Sequence, residues 1–95
     1  MKLEFWQEVL CSHITLAQAC KITEWELPMP RVGEYIAGLG FLNGAGELPV
    51  QKVLHQAQNG MCCIELPAFN MAQLPLSYRE LERMAAANGW TLQKI

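Results

Sequence analysis

Six side chains of this 95-residue chain could bind a metal ion or supply a nucleophile and its base. They are four cysteines and two histidines, namely Cys11, His13, Cys20, His55, Cys62 and Cys63. Structural zinc sites space their ligands as C-x₂₋₄-C or H-x₃₋₅-H, and no pair here has that spacing. Adjacent residues of a strand point to opposite faces, so Cys62 and Cys63 could not share a metal ion in one. We therefore predict reduced and mostly buried thiols, no metal site and no cofactor.

Catalysis by a cysteine would require a histidine base and a third group that orients the histidine. Cys11 and Cys63 are the candidate nucleophiles, and His13 and His55 are the candidate bases. His55 lies off the apolar stripe of the helix predicted below for residues 50–57, so we expect it to face solvent. Because no complete group of this kind can be assigned, we predict that the protein has no catalytic residues and is not an enzyme.

Apolar residues spaced three and four apart predict three helices in the later part of the chain. They cover residues 32–39, 50–57 and 77–88, and each ends near a glycine, which suits the end of a helix. In the last of them, Ser77 and Glu80 have the spacing of a capping box.

The N-terminal part of the sequence also has helical spacing. One predicted face carries Leu3, Trp6 and Leu10, with Phe5 and Val9 beside them. Thr15 and Gln18 have the capping-box spacing as well, which predicts a second N-terminal helix over residues 15–20.

Short apolar runs predict strands at 61–66 and 90–95, with further candidates at 22–27 and 40–42. The helix between 61–66 and 90–95 would make these two strands a parallel pair. We therefore predict one compact α+β domain, 1–95, with N-terminal helices packed on a small, partly parallel sheet of two to four short strands. The expected core residues are Trp6, Leu10, Leu16, Ile36, Val53, Leu54, Ile64, Leu81, Met84 and Leu92.

The composition predicts an interface with another protein. Hydrophobic residues make up 52% of the chain and charged residues 17%. With glycine counted and tyrosine left out, the apolar share is roughly 57%, whereas soluble domains average about 45–50% apolar on that count and about 25% charged. A domain this small cannot bury all of its apolar side chains, and a contiguous exposed patch marks an interface. The surplus apolar residues assigned to this interface are Phe5, Val9, Trp25, Phe69 and Met71. We expect them to contact a second copy of the chain, another protein, or both.

Charge and hydropathy argue against two other classes of partner. The net charge is −2 and the seven basic residues are spread along the chain, so the basic patch typical of nucleic-acid binding is missing. No apolar run approaches the roughly eighteen residues that span a bilayer. Residues 1–8 lack the pattern of a signal peptide. The sequence thus predicts a cytoplasmic protein that does not bind membranes.

Two stretches resemble known families. Residues 15–20 and then 35–42 resemble the helix-turn-helix and wing of winged-helix regulators, which implies a DNA-binding regulator whose reading helix carries Arg31. Residues 77–94 resemble the helix, Gly-Trp turn and strand that open HicA-type RNA-cleaving toxins. That resemblance implies a small RNA-cleaving protein, but the catalytic histidine of the family follows this strand, where the present sequence has Ile95.

Composition favours a function as a small noncatalytic adaptor, inhibitor or regulator that acts through an exposed apolar patch. The DNA-binding regulator and the RNA-cleaving protein are the two alternatives. An adaptor predicts exposed apolar residues, a regulator predicts a basic helix face, and an enzyme predicts a cleft in which histidine meets cysteine or glutamate.

Overall fold

The computed structural model describes residues 1–39, 46–73 and 77–94. Within these residues the chain forms two β-sheets and one α-helix, and it is mostly β. The elements are β1 (Lys2–Cys11), β2 (Ile14–Glu24), β3 (Tyr35–Ala37), β4 (Glu47–Pro49), β5 (Lys52–Gln56), β6 (Met61–Glu65), β7 (Phe69–Met71), α1 (Tyr78–Ala87) and β8 (Thr91–Lys94). The predicted N-terminal helices packed on a small sheet are wrong, because the N-terminal part of the chain is a pair of long strands.

The main sheet has six strands and is mixed. Its order is β5-β6-β1-β2-β8, and β7 also pairs with β1. β1 is antiparallel to β2 but parallel to β6 and β7, with Leu3 opposite Cys62 and Val9 opposite Phe69. The predicted parallel pairing of 61–66 with 90–95 is wrong, because β1 and β2 lie between β6 and β8.

The hairpin of β1 and β2 turns through two residues, Ser12 and His13. Both have positive φ, 49° and 65°, which is typical of the type I′ turns that suit two-residue hairpins. The turn is held by β7, since the Ser12 N–H donates to the Met71 carbonyl at 2.7 Å. The His13 N–H donates to Asn70 Oδ1 at 2.8 Å.

Alternate residues of β1 build the core. Leu3, Phe5 and Val9 are fully buried on the face of the main sheet that α1 covers with Leu81 and Ala85. Residues from the chain around β3 and β4 join this layer, namely Ile36, Leu39 and Val50. The core therefore lies on one side of the sheet.

The predicted core residues are divided among three environments. Three are buried in the core, namely Ile36, Ile64 and Leu81. Three are half-buried and pack against it, namely Leu16, Val53 and Leu92. Leu54 and Met84 are instead exposed, by 47% and 44% of their surface. Trp6 and Leu10 are half-buried.

The helices predicted for 32–39 and 50–57 are also wrong. Gly33 and Gly38 have φ of 91° and 74°, a left-handed conformation that breaks a helix. β3 and β4 form a separate two-stranded sheet, and β5 pairs with β6. Only residues 22–24 of the strand candidate at 22–27 are strand, as the end of β2, and the candidate at 40–42 lies outside the described residues.

The helix predicted for 77–88 is confirmed as α1 over 78–87. The strands predicted at 61–66 and 90–95 are confirmed as β6 over 61–65 and β8 over 91–94, and residue 95 lies outside the described residues. Ser77 Oγ caps α1 by accepting from the Glu80 N–H at 3.2 Å. The Glu80 carboxylate accepts from Arg83 Nη1 at 2.7 Å. In the described ranges, no helix has the length and apolarity needed to cross a membrane.

Candidate interaction surfaces

The five residues predicted at an interface lie in different surroundings. Phe5 and Val9 are fully buried in the core, so they have no surface to offer a partner. Met71 is 9% exposed and belongs to the same core. Trp25 and Phe69 are half-buried and pack against it. Of the five, Trp25 and Phe69 retain a side that a partner could contact.

Trp25 forms one wall of an apolar groove of about 250 Å³. Its ring lies edge-on to the ring of Phe5, with 5.6 Å between the centroids. Its indole N–H donates to the Pro28 carbonyl at 3.1 Å. We name this feature the proline groove, and its lining also includes Leu27, Met29, Pro30, Arg31, Glu34, Tyr35 and Ile36.

Three large apolar side chains are exposed in residues 25–36, which we call the groove segment. Leu27, Val32 and Tyr35 each leave 65% of their surface open to solvent. Leu27 and Tyr35 line the groove itself, and adjoining exposed apolar side chains are typical of interaction surfaces, whereas a single exposed leucine needs no explanation. These three residues were not among those predicted at an interface. The signal that could have found them is the pair Pro28 and Pro30, since two prolines so close together exclude both helix and central strand.

Hydrogen bonds fix the part of the proline groove formed by residues 31–34. The Gly33 N–H donates to the Val50 carbonyl at 2.9 Å, and the Val50 N–H donates to the Glu34 carbonyl at 2.8 Å. The Glu34 carboxylate accepts from the Arg31 backbone N–H at 2.6 Å. These hydrogen bonds connect the groove to Val50, the residue that follows β4, and link Arg31 to Glu34 within it.

The face of the main sheet opposite the core has no covering layer among the described residues. We name it the open face, and its residues include Glu4, Trp6, Glu8, Gln18, Ile22, Leu54, Cys63 and Glu65. Trp6 stands between two depressions of about 180 and 270 Å³, and Gln18 and Glu65 also line both. Ile22 and Leu54 are 53% and 47% exposed. The open face is thus a second exposed surface with an apolar centre.

One thiol contacts an imidazole, and it is not one of the cysteines predicted as a nucleophile. Cys62 Sγ lies 3.2 Å from His55 Nδ1 across the pairing of β5 with β6. His13 is elsewhere, at the hairpin turn, with Nδ1 3.4 Å from Asn70 Nδ2. A catalytic pair also needs a group that orients the imidazole, and within the described residues the His55 ring forms no second hydrogen bond.

Two other thiols lie on the open face and resist ionisation. Burial, together with the electrostatic effects of the nearby Glu4 carboxylate and Cys63 thiol, raises the pKa of Cys20 to about 11. Burial also raises the pKa of Cys63, whose Sγ lies 3.5 Å from Glu4 Oε1. Both thiols stay protonated at neutral pH and are poor nucleophiles. No group of three His, Cys, Asp or Glu side chains in the parts of the chain described here could hold a metal ion.

Of the two family resemblances, the helix-turn-helix does not match the observed elements, whereas the helix and strand of the toxin-like stretch do. Residues 15–20, predicted as the first helix of a helix-turn-helix, lie within β2. Arg31 lines the proline groove together with Glu34. By contrast, α1 and β8 do form a helix and a strand joined by a turn at Gly89, whose φ is 79°. The chain matches no protein-family model, no curated protein and no solved structure.

Proposed function

We propose that this protein is a small noncatalytic interaction module, an adaptor, inhibitor or regulator, that binds protein through the proline groove. The observation that carries the proposal is that Leu27 and Tyr35, each 65% exposed, line a groove walled by Trp25, while Val32, also 65% exposed, lies in the same stretch of the chain. Removing such side chains from water contributes about 25 cal/mol per Å² of apolar surface. The four cysteines are free thiols, which suits a cytoplasmic protein.

The groove segment is prepared for binding because little of it has to be ordered by a partner. Pro28 and Pro30 have φ restricted by their rings. Trp25 is fixed by its contact with Phe5 and its hydrogen bond to the Pro28 carbonyl. A surface that is already rigid loses less conformational entropy when it binds, and more of the burial free energy appears as affinity.

We propose a second copy of the chain as the occupant of the proline groove. Arg31 and Glu34 both line it and carry opposite charges, so a twofold axis would place the arginine of one copy near the glutamate of the other. Twofold interfaces use the same patch on both subunits, which requires a patch that is complementary to itself. The apolar groove with this charge pair meets that requirement.

The test is the concentration dependence of the molecular mass, measured by sedimentation velocity. We expect a reversible dimer in the unmodified chain. The double variant Leu27→Ser, Tyr35→Ser should weaken dimerisation by at least about tenfold, since interface anchors contribute about 1–2 kcal/mol each. The matched control is Ile14→Ser, Met84→Ser, which removes two apolar side chains that are 69% and 44% exposed elsewhere.

The control variant should dimerise like the unmodified chain. A chain that stays monomeric at all concentrations would overturn the proposed dimer. Equal weakening in the two double variants would show that exposed apolar side chains act nonspecifically, and it would overturn the assignment to the proline groove.

A further inference from the structure

The open face has an apolar centre bordered by negative charge. Trp6 is its largest side chain, and Ile22 and Leu54 are exposed on the same face. Glu8 and Glu65 are exposed and line one depression beside Trp6, together with Gln18 and Gln51. Among the described residues, no lysine or arginine lines that depression.

In the part of the chain that the structure describes, no basic side chain forms an ion pair with the carboxylates of this depression. Glu65 forms no ion pair or side-chain hydrogen bond with a residue that the structure describes. Lys52 lies opposite Glu65 in the register of β5 and β6, but the two side chains form no ion pair within the described residues. Glu8 accepts one hydrogen bond, from the Thr15 hydroxyl at 3.1 Å.

We infer that the open face docks a protein partner whose contacting segment carries lysine or arginine side chains among apolar ones. Cationic groups fit beside Glu8 and Glu65, where they would also lie against the aromatic ring of Trp6. Apolar side chains of the same segment fit over Ile22 and Leu54. The charge on this face selects the partner, since exposed apolar side chains alone would accept many.

A second copy of this chain is a poorer match for this depression than a cationic segment. It would bring Glu8 and Glu65 of both copies into one interface, and like charges in an interface are unfavourable. The proline groove has paired opposite charges and no such conflict. The inference does not depend on the proposed dimer, because a monomer would present the same open face.

The probe is a synthetic strand-forming peptide in which lysine alternates with leucine, compared with the same peptide carrying glutamate in place of lysine. Binding to the full chain is measured by fluorescence anisotropy of the labelled peptide. The double variant Glu8→Gln, Glu65→Gln should bind the lysine peptide about tenfold more weakly, since each rim charge contributes a modest amount. The control, Glu26→Gln with Glu47→Gln, makes the same change in net charge at exposed glutamates outside the open face.

Two further measurements locate the peptide. The indole N–H resonance of Trp6 should shift when the lysine peptide binds. Trp6→Leu, which keeps an apolar side chain but loses the aromatic ring, should weaken binding by roughly tenfold, with circular dichroism as the check on folding. Leu27→Ser, Tyr35→Ser should bind the lysine peptide normally, which separates this inference from the proposed dimer.

The inference is overturned by any of three results. One is equal weakening in the two glutamate double variants, which would show attraction to net charge alone. Another is absence of binding by the lysine peptide, or equal binding by the glutamate peptide. The third is binding that shifts amide resonances along the edge strands β5 or β8 and leaves Trp6 unmoved.

Discussion

The ring of Trp25 stands at 61° to the ring of Phe5, with the two centroids 5.6 Å apart. Phe5 is fully buried in the centre of the core, whereas Trp25 forms a wall of the proline groove. Edge-to-face aromatic pairs contribute about 0.5–1.5 kcal/mol beyond the area they bury. This contact therefore couples the shape of an exposed groove to the packing of the sheet.

Replacing Trp25 with alanine should lower the free energy of unfolding by about 2 kcal/mol, because it removes a half-buried aromatic side chain and exposes Phe5. Leu27→Ala is the matched change at an exposed position of the same segment, and it should stay within about 0.5 kcal/mol of the unmodified chain. Urea denaturation measures both. If the two variants were equally stable, Trp25 would not be part of the core.

Lys21 joins the end of α1 to the rest of the domain. Its Nζ donates to the Leu39 carbonyl at 2.9 Å and to the Asn88 carbonyl at 3.0 Å. A cation at the C-terminal end of a helix also interacts favourably with the helix dipole. Lys21→Met should therefore cost about 2 kcal/mol in urea denaturation, whereas Lys52→Met, at an exposed strand position, should cost little. A small effect at Lys21 would mean that water replaces both hydrogen bonds.

The raised pKa of Cys20 predicts a loss of stability at alkaline pH. An unfolded chain ionises a thiol near pH ~8.5, while the pKa of Cys20 in the folded chain is about 11. Between these values the folded chain holds a proton that the unfolded chain has lost, so the free energy of unfolding falls as pH rises. Urea denaturation of the reduced protein across this window should give a shallower fall for Cys20→Ala. If the free energy of unfolding fell equally with pH in both proteins, the raised pKa of Cys20 would be contradicted.

The cap of α1 can be tested by a loss and a rescue. Ser77→Ala removes the acceptor for the Glu80 N–H and should cost about 1 kcal/mol in thermal or urea denaturation. Ser77→Asp should retain most of that stability, because an aspartate carboxylate caps equally well and is favoured at the start of a helix. Equal losses in the two variants would show that the side-chain cap contributes nothing.

The sequence predicted α1 correctly because its signals agree with one another. Ser77 supplies the cap and Gly89 the left-handed residue after the end. Leu81 and Ala85 supply a stripe that the sheet buries. Local chemistry and tertiary packing point to the same element here, which is the condition under which a single sequence is informative.

The N-terminal hairpin was predicted as helices because both faces of its strands carry apolar residues. Leu3, Phe5 and Val9 alternate on the core face, while Trp6 lies on the open face. When apolar residues of both strand faces are read together along the sequence, some of them fall three and four residues apart, which is the spacing of a helix. The turn sequence does not indicate a hairpin either. Type I′ turns favour Asn-Gly, whereas here Ser12 is followed by His13.

The interaction surfaces could be predicted only in part. Trp25 was predicted at an interface and lines the proline groove, but whether a residue of this segment is buried depends on what the fold places above it. Phe5 is covered by Trp25 itself, whereas Leu27 and Tyr35 have nothing over them in the described structure. Coverage of this kind arises from contacts far apart in the chain, which spacing along the sequence does not encode.

The place of β1 at the centre of the main sheet affects how the chain reaches its fold. Its partners β6 and β7 come from the second half of the chain, and residue 3 pairs with residue 62. Synthesis proceeds at about 5–20 residues per second. For seconds, therefore, the hairpin of β1 and β2 has an unpaired strand edge and uncovered apolar faces. Pairings this distant in sequence also slow folding to milliseconds or longer. We expect the nascent hairpin to expose apolar surface that chaperones recognise until its partner strands are available.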